Sequence, residues 1–121
     1  MRIAVCENSP EAAEQLRDWI EQFCCLYQVP AVFQCFSSPG SFAAERERFD
    51  IVYMGFGGSS GFSQARQLRE RDRGCRVILV DDTPEFAIRG MRLHCVDFIL
   101  RPVQFRNVVR SMRLALGRRM G

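Results

Sequence analysis

The chain has 121 residues, 47% of them apolar and 26% charged, with a formal net charge of +3. That is ordinary for a soluble globule and long enough for one domain, residues 1–121, with a core of its own. No apolar run approaches a membrane span and no charged-then-apolar signal layout opens the chain, so a cytoplasmic protein is expected.

All 17 basic residues are Arg. Arginine is a fixed cation and cannot be tuned into a base as lysine can. The Arg residues are spread along the chain, and the closing "RLALGRRM" makes only a weak case for nucleic-acid binding by this segment alone. The six Cys are Cys6, Cys24, Cys25, Cys35, Cys75 and Cys95. They form no Cys-x-x-Cys, and with His94 as the one histidine no zinc-ligand spacing arises. No metal and no cofactor are expected. Scattered Cys in such a chain read as small buried hydrophobes, and the adjacent Cys24–Cys25 is the pair to test for redox activity.

"RIAVC" (Arg2 to Cys6) reads as a buried strand. A helix follows, with Ser9 as N-cap, Pro10 at its first position and Glu11 at the positive end of its dipole. Ala13, Leu16, Ile20, Phe23 and Tyr27 recur at steps of three and four and form its apolar stripe, with Trp19 flanking it. "PAVFQCF" (Pro30 to Phe36) is strand-like, and "SSPGSFAAERERF" holds a short helix. "DIVYM" is a buried strand that breaks into the loop "GFGGSSG". "FSQARQLRERD" is a helix with Phe62, Ala65 and Leu68 inward. "RVILVD" is the most apolar strand. "TPEFAIRGMRL" is a helix capped by Thr83, "VDFIL" a short strand, Arg101-Pro102 a break, and "QFRNVVRSMRLAL" the last helix.

Strand and helix thus alternate five times, and most strands are continuous apolar runs. That predicts an α/β protein with a doubly wound, five-stranded parallel sheet carrying two helices on one face and three on the other. In such folds ligands sit beyond the carboxyl ends of the strands. The residues there are Cys6 to Ser9, Gly55 to Gly58, Asp81 to Thr83 and Arg101-Pro102.

These segments carry a family resemblance. "IAVCENSP", "FDIVYM", "VILVDDTPEFAIRGM" and "VDFILRPV" resemble, in order, the conserved strand ends of receiver domains of bacterial response regulators, which have a flavodoxin-like (βα)5 fold. The resemblance covers nearly the whole chain. "PEFAIRGMRLHCVDFILRPV" is most similar to the receivers that precede a LytTR-type DNA-binding domain.

The resemblance implies a phospho-acceptor pocket at Glu7, Asn8, Gly55, Asp81 and Arg101, and there the chain departs from the pattern. The family's accepting Asp is Gly55. Its acidic pair is Glu7 and Asn8. Its hydroxyl residue is Asp81, followed by Asp82, and its Lys is Arg101. A glycine offers no nucleophile. Mg²⁺ requires several hard oxygen ligands, and Glu7 alone of the three usual acids is left. Asp81 adds negative charge where a phosphoryl oxygen would sit. Neither catalysis nor phosphotransfer from a histidine kinase is expected. Asp81 and Arg101 read either as an ion pair that replaces the phosphoryl–Lys contact or as two solvated charges of little worth, with Asp82 an exposed loop acid. Phe98 holds the place of the switch aromatic and is expected to be permanently buried. Gly57-Gly58 lacks the ending of a nucleotide P-loop, and His94 reads as a surface or capping residue.

The function expected is a phosphorylation-independent regulatory and interaction domain that dimerises and controls a transcriptional output domain. Its contact surface is expected to draw on Phe86, Ile88, Arg89, Met91, Arg92, Arg106, Arg110 and Arg113. DNA would be reached only through a C-terminal domain beyond this chain, and no membrane is involved. Two alternatives stay open: a phospho-switch with a displaced acceptor, Asp82 or Asp81, and a pocket- or thiol-based sensor.

Overall fold

The structure is a computed structural model that describes residues 1–117. Arg118 and Arg119 of the basic closing segment lie outside the described residues. The strands are β1 (Arg2–Glu7), β2 (Val32–Phe36), β3 (Ile51–Gly55), β4 (Arg76–Asp81) and β5 (Asp97–Leu100). The helices are α1 (Pro10–Leu26), α2 (Pro39–Ala43), α3 (Gly58–Arg71), α4 (Ala87–Arg92) and α5 (Phe105–Leu116). All strand pairs are parallel, in the order β2-β1-β3-β4-β5. The expected sheet and its helix alternation are therefore present.

Continuous apolar strands follow from covering both faces of the sheet. Alternate residues of each strand point to opposite sides. Ile3, Val5, Ile51, Tyr53, Ile78, Val80 and Ile99 meet α1 and α5 through Leu16, Ile20, Phe23, Val108 and Met112. Ala4, Cys6, Val52, Met54, Val77 and Leu79 meet the other side through Phe42, Ala65 and Leu68. One polar contact crosses the first core: the Tyr53 hydroxyl lies 2.6 Å from Ser111 Oγ, and both residues are buried. Burial pushes the Tyr53 phenol up from its ordinary range.

Local chemistry sets the ends of the helices. Ser9 Oγ accepts from the Ala12 amide at 3.3 Å, with Pro10 opening α1. Gln104 and Asn107 form a reciprocal cap on α5, and Gly117 closes it in the left-handed region at φ 63.

Three boundaries differ from the sequence reading. β3 extends through Gly55, and α3 begins at Gly58, so half of the expected loop is the first turn of a helix. The helix expected from Thr83 divides into a 3-10 turn, Pro84–Phe86, and the short α4, and Thr83 makes no capping bond from its side chain. β2 starts two residues after Pro30, because a proline cannot donate to the ladder.

Candidate functional site

The carboxyl ends of β1, β3 and β4, together with the residue after β5, meet at one edge of the sheet. Register places Glu7 directly beside Gly55. Glu7 is 3% exposed and Asp81 is 7% exposed, so two carboxylates are buried at the strand ends on either side of β3. Such groups need partners, since an unpaired buried charge is costly.

Arg101 supplies the partner for Glu7. Its Nη2 donates to Glu7 Oε1 and, at 2.6 Å, to the Gly55 carbonyl oxygen. Its Nη1 reaches Asp82 Oδ1 at 3.4 Å. The Arg101–Pro102 peptide is cis. Burial pushes the Glu7 carboxyl above its ordinary range, while the adjacent guanidinium pulls the other way and Asp82 adds a small upward push.

Asp81 does not take part. Its Oδ2 accepts from the Gly58 amide at 2.9 Å, and its Oδ1 from the Asp82 amide at 2.7 Å. It thus caps the start of α3 from across the sheet, where a carboxylate meets both free N–H groups and the positive helix end. The ion pair weighed between Asp81 and Arg101 is absent among the described residues. Arg101 pairs with Glu7 and Asp82 instead, because backbone amides already hold Asp81. Asp82 is exposed as expected, with 74% of its side chain accessible. Asn8 points its amide at the Phe56 carbonyl oxygen at 2.8 Å.

Gly55 is where the site differs most from an open pocket. A Cβ there would lie 2.7 Å from the Cys6 carbonyl oxygen and 2.8 Å from Glu7 Cδ, and closer still to Glu7 Oε1. The space in front of the end of β3 is filled by the Glu7 carboxylate. Gly57 turns the chain at φ 78, and a Cβ on it would approach Asp81 Oδ1 to 3.3 Å. The cavity bounded by Gly57, Gly58, Asp81 and Phe86 holds about 10 Å³. That is about the room of a single water. Among the described residues no cluster of three or more His, Cys, Asp or Glu is arranged to hold a metal ion.

The other expected residues are placed as follows. Phe98 is half-buried against the second core rather than fully buried, because β5 is an edge strand and only one side of the ring is covered. Phe86 is buried and stacks on Phe62 with ring centroids 5.3 Å apart, so it leaves the expected contact surface. Arg113 is half-buried and donates to Tyr27 Oη at 3.3 Å, which turns it toward α1. Arg110 pairs with Asp97 at 2.9 Å. Ile88 and Met91 are 68% and 72% exposed on α4, as are their chain neighbours Arg89 and Arg92, and Arg106 is exposed on α5. Leu100 on β5 and Leu114 on α5 are also exposed, and the sequence reading missed both. Leu114 was detectable: Arg106, Arg110 and Leu114 step by four along one face of α5.

Cys24 is buried and Cys25 exposed. Burial pushes the Cys24 thiol up, which disfavours its reactive thiolate. His94 is exposed, and its amide donates to the Met91 carbonyl oxygen at 3.0 Å at the end of α4.

Solved structures share this architecture. The beryllofluoride-activated receiver domain of DrrB matches with a TM-score of 0.79 and 18% identity over 97% of both chains. A response regulator receiver protein from Pseudoalteromonas atlantica matches with a TM-score of 0.78 and 20% identity, over 97% of this chain and 98% of that one. The response regulator DrrB of Thermotoga maritima, an OmpR/PhoB homologue, matches with a TM-score of 0.79 and 17% identity. In that case 99% of this chain spans 57% of the other. No protein-family profile and no curated relative matches the chain. The fold is that of CheY-like receiver domains. No helix among the described residues is long and apolar enough to cross a membrane.

Proposed function

We propose that this chain is a degenerate receiver domain of a response regulator, closest to the LytTR-type subgroup, that acts without phosphorylation as a regulatory interaction module. The observation that carries this reading is the occupant of the acceptor's place. Gly55 offers no carboxylate, and the carboxylate of Glu7 stands where one would extend, held by Arg101. An internal carboxylate–guanidinium contact takes the position that a phosphoryl–Lys contact has in the resembling family. It has no leaving group and no turnover, so the domain is not an enzyme. Its conformation is set at folding rather than by a signal.

A domain fixed in this way must act through a surface that is always available. The exposed Ile88, Met91, Leu100 and Leu114, with the exposed Arg89, Arg92 and Arg106, suit an isologous contact with an apolar centre and a charged rim. In this reading a homodimer presents a DNA-binding output domain beyond the chain.

Incubation with acetyl phosphate and Mg²⁺, followed by intact mass, tests the core of the proposal. No gain of a phosphoryl group is expected. Asp82 supports the second reading, because its carboxylate is exposed and lies beside Arg101. A stoichiometric gain that maps to Asp82 would replace the first reading with that one.

A further inference from the structure

A wide cavity lies at the opposite end of the sheet from Glu7 and Gly55. It occupies about 740 Å³ between the end of α3, the start of β4 and the turn before β5. That volume is within the range of small-molecule sites, roughly 300–1,000 Å³. Arg66, Arg69, Arg73 and Arg76 line it, and Glu70 is the one carboxylate among them.

The four guanidinium groups divide into two kinds. Arg69 is fully engaged with the backbone. Its Nε donates to the Leu93 carbonyl oxygen at 2.8 Å, and its Nη2 to that of His94 at 3.2 Å. Its Nη1 reaches the carbonyl oxygens of Asp72, Arg73 and Cys75 at 3.4, 3.0 and 2.6 Å. A helix C-terminus and its following loop present carbonyl oxygens that repel an anion. Arg69 covers five such oxygens and joins the segments on the two sides of the cavity. By contrast, Arg66, Arg73 and Arg76 make no side-chain hydrogen bond and no ion pair among the described residues, and all three are exposed.

A second observation concerns His94, which lines the same cavity. It is one of only two non-glycine residues with positive φ among the described residues, at 59°. It follows the last turn of α4, where its amide donates to the Met91 carbonyl oxygen and the Cys95 amide to that of Gly90, the usual left-handed end of a helix. Arg69 donates to the Leu93 and His94 carbonyl oxygens of this turn and so fixes it as one wall of the cavity.

We infer that this cavity is a binding site for a nucleoside diphosphate. Arg66, Arg73 and Arg76 offer forked donors that match phosphate oxygens. Leu93 and Val96 give an apolar wall for the base, over which a guanidinium plane can also stack. Glu70 is a carboxylate acceptor for ribose hydroxyls, and its position among cations would not suit a bare anion.

Isothermal titration of the chain with ADP tests the site, with adenosine, inorganic pyrophosphate and a single-stranded oligonucleotide as parallel titrants. Saturable one-to-one binding of ADP is expected, with pyrophosphate weaker and adenosine weaker still. The Arg66→Gln/Arg73→Gln double variant removes two exposed side chains and leaves Arg69 in place. It is expected to weaken ADP binding by about tenfold or more, the worth of one charge-assisted hydrogen bond. Circular dichroism checks that it is folded. The inference is overturned by no saturable ADP binding, by unchanged affinity in the folded double variant, by pyrophosphate binding as tightly as ADP, or by an oligonucleotide that outcompetes ADP.

Discussion

Replacing Gly55 with Ala separates two accounts of the site by the sign of a stability change. The backbone at Gly55 is not in the left-handed region, so the substitution carries no conformational penalty. In open space, Gly→Ala inside a strand should stabilise by about 0.5–1 kcal/mol, from the entropy that glycine loses on folding. The space is not open. The new methyl would meet the Cys6 carbonyl oxygen at 2.7 Å and Glu7 Cδ at 2.8 Å. The first is main chain in a buried parallel pair, and the second belongs to a carboxylate pinned by Arg101, so neither yields freely. Overpacking of this kind costs about 1–3 kcal/mol. The expected outcome is a loss of that size in urea denaturation monitored by Trp19 fluorescence. In a Glu7→Ala background the contact with Cys6 remains while the contacts with Glu7 vanish. The cost of Gly55→Ala should therefore fall by about 1 kcal/mol, within the usual range for residues in contact. A Gly55→Ala variant as stable as the parent would refute the filled-site geometry. An equal loss in both backgrounds would show that Glu7 is not the occupant.

Two further outcomes follow from the same geometry. Burial raises the folded-state pKa of Glu7 above its unfolded value, and Arg101 offsets this only in part. The contribution of that carboxyl to stability is then fully present below the unfolded pKa, about 4.3, and is lost as pH rises through the higher folded value. Glu7→Gln should gain stability relative to the parent between about pH 4.3 and neutrality. Denaturation curves for both proteins across that interval check it, and a difference that shrinks with rising pH contradicts the direction. For association, Ile88→Asp with Met91→Asp places two charges at the centre of the exposed α4 surface. Light scattering across a concentration series should show a dimer for the parent and a monomer for this variant, with the thermal midpoint little changed because both residues are exposed.

Much of the fold was legible because both faces of the sheet are covered, which leaves strands such as "RVILVD" apolar throughout. The start of α3 was not. "GFGGSSG" carries every local mark of a loop, yet a helix begins within it, because a carboxylate 23 residues further on caps Gly58. Local propensity cannot register a cap delivered from a neighbouring strand. The partner of Arg101 was hidden for the same reason. Both Asp81 and Glu7 are strand-end acids, and the choice between them depends on Asp81 already accepting two backbone amides. The strand-end segments that hold Glu7, Gly55, Asp81 and Arg101 were legible, since each of these residues stands at or next to the end of an apolar run. Phe86 and Phe98 were misjudged in opposite directions. Phe86 finds Phe62 across the fold, while Phe98 lies on a strand with a neighbour on one side only.

The two border strands of the sheet bear on solubility. A parallel sheet with apolar strands leaves one open row of amides and carbonyls along each border, and such rows recruit further strands into fibrous aggregates. Here β2 has five residues and β5 four. Pro30 stands just before the first and Pro102 just after the second, each lacking the amide that would continue the ladder. Asp97 places a carboxylate on β5, and Arg110 pairs with it. Short borders bracketed by proline and charge offer an incoming strand too few consecutive hydrogen bonds to hold it. The apolar centre of the sheet can therefore be fully hydrophobic without making the molecule a seed for polymerisation.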